Sequence, residues 1–117
     1  LEEAVSLISN VPIFQQMTEE DIERLAEAAE VCTFGPDWQV VNHGTRHEAL
    51  HLIVSGEGCV SVPQVVGTLK RGDSFGEHAL VRRHLKATQT ISVPGEEGAQ
   101  LVTLAISYKM LADLDLL

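Results

Sequence analysis

The residues best suited to chemistry lie in one stretch, 75–90, which reads FGEHALVRRHLKATQT. Gly76 has no Cβ, so its backbone can approach a ligand closely. The residues after it suit one or two helical turns, whose free N–H groups favour negative charge. Glu77, at that helix start, can accept hydrogen bonds from hydroxyls. Lys86, returning on the next strand, can neutralise a phosphate. Together they read as an anion cradle with a carboxylate beside it, which suits a ligand carrying both a phosphate and a sugar hydroxyl. The plainer reading is a turn glycine followed by a helix N-terminal acid, worth ~0.3–1 kcal/mol against the dipole.

A second motif invites a different chemistry. His47-Glu48-Ala49-Leu50-His51 is His-Glu-x-x-His, which on a helix sets two zinc ligands one turn apart with a glutamate base. Here Gly44-Thr45 precede it and Leu52-Ile53-Val54 follow, so the context is loop into strand. On a strand, i and i+4 lie roughly 13 Å apart, whereas zinc needs both nitrogens within ~2.1 Å. A cupin-like metal barrel using His43, His47, His51 or His78 would tolerate strands and stands as the enzyme-class alternative. No metal and no catalytic residue is assigned.

The elements that must position these residues follow from periodicity. Leu1, Ala4 or Val5, and Ile8 recur at helical spacing, and Asn10-Val11-Pro12 breaks that helix. Thr18 reads as an N-cap, with Asp21 approximating a capping box and Met17 and Ile22 as a hydrophobic staple. Ile22, Leu25, Ala26 and Ala29 give the apolar face of a helix running to about Glu30, with Glu19, Glu20, Glu23, Glu27 and Glu30 on its wet face. From Val31 the period changes. Short β-prone runs follow at 31–34, 39–41, 50–54, 58–62, 65–69, 88–93 and 101–106, separated by Gly, Pro, Asn and Asp turns. Seven or eight short strands suggest a closed or double-sheet β-barrel of jelly-roll type. Ser107 can cap a last helix whose apolar side holds Met110, Leu111 and Leu114.

At 117 residues the chain is one domain with a modest core. No apolar run approaches the ~20 residues of a membrane span. Leu1 with no initiator Met reads as a fragment of something larger, and Glu2-Glu3 replace a basic signal region. The net charge of −9 opposes gripping nucleic acid or an anionic membrane. Yet five of the eight Lys and Arg, namely Lys70, Arg71, Arg82, Arg83 and Lys86, fall within 70–86. Lys86 is the ligand candidate and the other four read as solvated turn residues. Cys32 and Cys59 lack metal or redox spacing and suit a reduced, cytoplasmic compartment.

The pattern Phe75-Gly76-Glu77-x-Ala79-Leu80, with a cation eleven residues after the Phe and Ala87 next, resembles the phosphate-binding cassette of cyclic nucleotide-binding domains. The resemblance covers nearly the whole chain. Val11-Pro12-Ile13-Phe14 with Leu25-Ala26, Gly44, Leu52-Ile53, Ser55-Gly56-Glu57, Gly67-Thr68-Leu69 and Gly72-Asp73 all fall in step. It is closest in style to the regulatory domains of cyclic-nucleotide-dependent protein kinases. The resemblance implies one domain over 1–117: an N-terminal helical segment at 1–30, a β-barrel at 31–106 with the cassette at 75–90, and a C-terminal helix at 107–117. It implies a ligand-binding set of Gly76, Glu77, His78, Ala79, Lys86, Ala87 and Thr88, with Glu77 on the ribose 2′-hydroxyl. The implied ligand is cAMP or cGMP, and the implied partner a neighbouring regulatory or kinase domain, with no nucleic acid and no membrane.

The departures from the family pattern bear on binding. Lys86 stands for the family's Arg, so charge survives but the planar fork that grips two phosphate oxygens does not. Leu85 replaces a Pro, Gln89 a small Thr or Ser, His47-Glu48 a common Gly-Asp, and His51 a common aromatic. Ala87, where cyclic-GMP binders often carry Thr, leans toward cAMP or no preference. No aromatic follows Tyr108 within these residues, so the lid that the resemblance implies over the base is absent or lies outside this stretch. The expectation is a non-enzymatic regulatory module with a weakened or silent phosphate site. The alternative is a degenerate domain that serves as a structural or docking element.

Overall fold

The structure is a computed structural model. It describes residues 2–42, 44–45, 49–61, 65–77, 80, 87 and 89–116, with 65 and 66 as backbone only. Helix α1 (Glu2–Ser9) buries Leu7 and Ile8. Its last carbonyls are satisfied locally: Ser9 Oγ donates to Val5 O at 2.6 Å and Asn10 Nδ2 to Ser6 O at 3.1 Å. Pro12 opens a short 3-10 turn (Pro12–Phe14), where its missing N–H costs nothing.

Helix α2 (Glu19–Ala28) starts as expected, with Thr18 Oγ1 accepting from Asp21 N at 3.2 Å. The reciprocal half of the capping box is not made, because the Asp21 carboxylate takes Arg24 at 3.4 Å instead. The helix stops at Ala28 rather than Glu30, since Ala29 turns extended (ψ 139°) and Glu30 opens the first strand. No helix among the described residues is long and apolar enough to cross a membrane.

Eight strands follow: β1 (Glu30–Phe34), β2 (Gln39–Val41), β3 (Ala49–Ser55), β4 (Gly58–Ser61), β5 (Val65–Leu69), β6 (Ser74–Phe75), β7 (Thr90–Ser92) and β8 (Leu101–Ser107). Helix α3 (Tyr108–Asp113) closes the described chain, with Ser107 Oγ accepting from Met110 N at 3.1 Å. It is shorter than the expected 107–117, because Asp115 turns left-handed (φ 59°) just beyond it.

The strands form two antiparallel four-stranded sheets, in the orders β1-β8-β3-β6 and β2-β7-β4-β5. The architecture is the expected jelly roll, in its double-sheet rather than its closed form. Among the described residues no ladder joins the two sheets. β2 and β7, three residues each, and β6, two, are too short to carry hydrogen bonding around a closed wall.

The longest strands, β3 and β8, serve two cores by simple alternation. Leu50, Leu52, Leu104 and Ile106 face the helices and pack with Ile8, Val11, Phe14, Leu25 and Leu111. Ile53 and Leu101 face the other sheet and pack with Val41, Val60, Phe75, Ile91 and Val93. Burial of each such side chain stabilises the fold by ~1.5–3 kcal/mol. The β3–β4 turn closes at Gly56, whose φ of +84° lies where side chains are disfavoured. Both cysteines are free thiols. Burial, and then the charge of Glu30, push the Cys32 thiol up from its ordinary value.

Arg71 is more than a solvated turn residue. It donates to Glu3 Oε1 at 2.8 Å and to Val54 O at 2.7 Å, tying the β5–β6 turn to α1.

Candidate functional site

The site is delivered by the turn before β6. Lys70 N donates to Asp73 Oδ2 at 2.8 Å, and Asp73 N to Lys70 O at 2.9 Å. Gly72 N and Ile53 O, and Ile53 N and Asp73 O, each meet at 2.9 Å and stitch this turn to β3. β6 then pairs with β3, His51 opposite Phe75 and Leu52 opposite Ser74. Phe75 enters the core between the sheets. Gly76 is buried with φ +83°, a backbone conformation other residue types adopt only under strain.

Glu77 is exposed and begins a helical turn, with Leu80 N donating to Glu77 O at 2.9 Å. Leu80 is buried in the other core, under the helices. The corner Gly76-Glu77 therefore spans from one core to the other, anchored by a large apolar side chain at each end. Ser74 Oγ lies 3.2 Å from Glu77 Oε1, so the hydroxyl orients the carboxylate and leaves its second oxygen for a ligand.

Ala87 is buried and held by the loop after β2. Its N–H donates to Thr45 O at 2.6 Å, and its carbonyl accepts from Gly44 N at 2.7 Å. Thr45 Oγ1 in turn donates to Asn42 O at 2.6 Å. Of the expected ligand set, the structure thus shows Gly76 and Glu77 at one corner and Ala87 pinned to the 44–45 loop. His78, Ala79, Lys86 and Thr88 lie outside the described residues, as do His43, His47 and Glu48.

His51 sits on β3, as the strand reading of the His-Glu-x-x-His motif requires. Its ring stacks on Phe75 at 5.1 Å and 18°, and meets Phe34 edge-on at 5.9 Å and 70°. Its Nδ1 lies 2.9 Å from Thr103 Oγ1, and Thr103 is fully buried. An imidazole here does the work of a core aromatic while its nitrogen serves a buried hydroxyl. Among the described residues no group of three or more His, Cys, Asp or Glu is placed to hold a metal.

Thr103→Val keeps the shape and removes the hydroxyl, so it is expected to cost ~1 kcal/mol in a denaturant titration. A loss below ~0.3 kcal/mol would show that the His51 contact adds nothing to the fold.

Two supporting residues were not singled out from sequence. Ser74 carries a weak signal, a hydroxyl three residues before the carboxylate it meets. Thr45 carries none, because its partner is forty-two positions away.

No family model matches the chain. Relatives do. The cAMP-dependent protein kinase regulatory subunit of Mycosarcoma maydis is 25% identical over 107 residues, 87% of this chain and 20% of that protein. The cGMP-dependent protein kinase, isozyme 1, of Drosophila melanogaster is 28% identical over 108 residues, 83% of this chain and 14% of that protein. The chain thus spans a fifth or less of these relatives' length. Among solved structures, a cyclic nucleotide-binding-like protein from Brucella abortus superposes with a TM-score of 0.81 at 17% identity, covering 96% of this chain and 97% of that one.

Proposed function

We infer that this chain is a cyclic nucleotide-binding domain of the kind found in the regulatory regions of cAMP- and cGMP-dependent protein kinases, and that it works as a regulatory rather than a catalytic unit. The observation that carries this is the corner at residues 75–80. A buried left-handed glycine is followed by an exposed carboxylate that a neighbouring hydroxyl orients. That corner can present a backbone cradle and a hydrogen-bond acceptor side by side, as a cyclic phosphate fused to a ribose requires.

The ligand is cAMP or cGMP, with Glu77 on the ribose hydroxyl and Gly76, His78, Ala79, Lys86, Ala87 and Thr88 around the phosphate and base. Lys86 weakens the phosphate half. The effector is a kinase domain, in the same chain or a partner subunit, in the cytosol. Leu80 shares its core with Leu111, and Met110 and Leu114 pack against the same cluster. A nucleotide that draws the corner inward would repack α3 to the extent that its affinity differs between the two states.

The test compares cAMP with its 2′-deoxy analogue on wild type and Glu77→Gln. Glu77 is exposed, so Glu77→Gln is expected to cost well under ~1 kcal/mol of folding stability. Wild type is expected to prefer cAMP over the deoxy analogue by ~1.5–3 kcal/mol, and Glu77→Gln to lose that preference. An undiminished preference in Glu77→Gln would remove Glu77 from the ribose site.

A further inference from the structure

An open groove of about 270 Å³ lies between the C-terminal end of α2, the start of β1 and α3, away from the 75–80 corner. Its apolar part is Ala28 with Met110 and Leu114, and its polar part includes Glu30, Ser107 and Asp113. Met110 lies on α3 and Leu114, four residues on, caps its C-terminal end, and both line the groove. Methionine is the side chain that best adapts to a foreign apolar surface. The volume is nearly twice the ~150 Å³ of an apolar cavity that holds benzene, which is room for one or two leucine-sized anchors.

Charge selects the occupant. The Glu30 carboxylate has no ion-pair partner among the described residues. Among the described residues Asp113 pairs only with Lys109, at 3.6 Å and with both side chains mostly exposed, a weak pair. Arg24, at the Leu114 end, is already committed to Asp21 and to the Leu114 carbonyl. Upstream on α2, Glu19, Glu20, Glu23 and Glu27 are all exposed. Nucleic acid, an anionic membrane and a second copy of this −9 chain are all repelled by such a rim. An acidic partner would also leave Glu30 covered and unpaired.

We propose that this groove docks a basic amphipathic helix of a partner protein, which seats one or two apolar anchors on Met110 and Leu114 and pairs a Lys or Arg with Glu30. Helix-in-groove recognition of this kind uses anchors at i and i+4 flanked by complementary charge. Its described lining shares no residue with the nucleotide corner, although α3, which nucleotide would repack, forms one wall; docking is therefore read on the nucleotide-free chain.

The probe is a short helical peptide with leucines at i and i+4 flanked by lysines, titrated into the 15N-labelled chain. Shift changes are expected at Ala28, Glu30, Ser107, Lys109, Met110 and Leu114, saturating with a Kd of ~10–100 μM. Glu30→Lys is expected to weaken binding at least ~fivefold, and a peptide with glutamates for lysines to recover it on that variant. Met110→Ala, a milder change that leaves α3 in place, is expected to weaken both pairings. Equal binding by a scrambled peptide, or shifts confined to Glu19–Glu27, would reduce the effect to bulk charge and overturn the proposal. Groove shifts that depend on protein concentration alone would make a second copy the occupant and overturn it equally.

Discussion

Lys86→Arg is expected to tighten cyclic-nucleotide binding by roughly ten- to hundredfold. The substitution keeps the charge, so any gain reports geometry and hydration rather than net electrostatics. A guanidinium offers two parallel donors to two phosphate oxygens and is more weakly hydrated than an ammonium. A second charge-assisted hydrogen bond is worth ~1.5–3 kcal/mol, which sets the expected range. Ala87, next in the chain, is buried and pinned at both its N–H and its carbonyl by the 44–45 loop, so the strand after position 86 has a fixed anchor. Gln89 is exposed and Leu85 replaces the family's Pro, so Lys86→Arg, Gln89→Thr is the companion variant. Calorimetry with cAMP and cGMP on the single and double variants reads the effect. Unchanged affinity in both would mean that position 86 does not hold phosphate, and would favour the structural-element reading.

The largest loss of stability is expected from Gly56→Ala. Two costs combine at this site. The φ of +84° disfavours any Cβ, at ~1–3 kcal/mol. An added Cβ would also overlap the carbonyl oxygen of Gln100, a backbone atom that cannot swing aside as a side chain would. Forced repacking of that kind typically adds ~1–3 kcal/mol. The total, ~2–6 kcal/mol, is a large fraction of the stability of a domain this size. Gly67→Ala is the control on the neighbouring strand, since nothing lies within 4 Å of its ideal Cβ and its φ is not left-handed. A Gly56→Ala midpoint matching that of the control would contradict the close approach at Gln100.

Much of this fold is legible in the sequence because its signals are local. Thr18 and Ser107 announce the starts of α2 and α3 through side-chain oxygens that need only a backbone N–H three residues on. The strands of β3 and β8 announce themselves by length and by sustained apolar content. What stays hidden is what depends on partners far along the chain. β6 is two residues, too short for any period, and exists because His51 and Leu52 pair with it. Alternation tells which face of a strand is buried but not whether sheets close, so the sequence leaves a closed and a double-sheet jelly roll both open, and the strand pairing shows the double sheet. His51 reads as half of a zinc motif until Phe75, Phe34 and Thr103 are brought around its ring. At the candidate site, Gly76 and Glu77 are suggested by residue type and by the resemblance of the surrounding motif, whereas the contact of the Ser74 hydroxyl with the carboxylate has only a weak trace in the sequence.

The central claim, a cyclic nucleotide-binding domain with its ribose half kept and its phosphate half weakened, is tested most directly by titrating the unaltered chain with cAMP and with cGMP in a calorimeter. The account expects saturable one-to-one binding with a Kd no tighter than tens of micromolar, roughly −6 to −5 kcal/mol. Submicromolar binding of either nucleotide would contradict the weakened phosphate half, and no heat of binding at millimolar nucleotide would contradict the claim that the domain binds cyclic nucleotide.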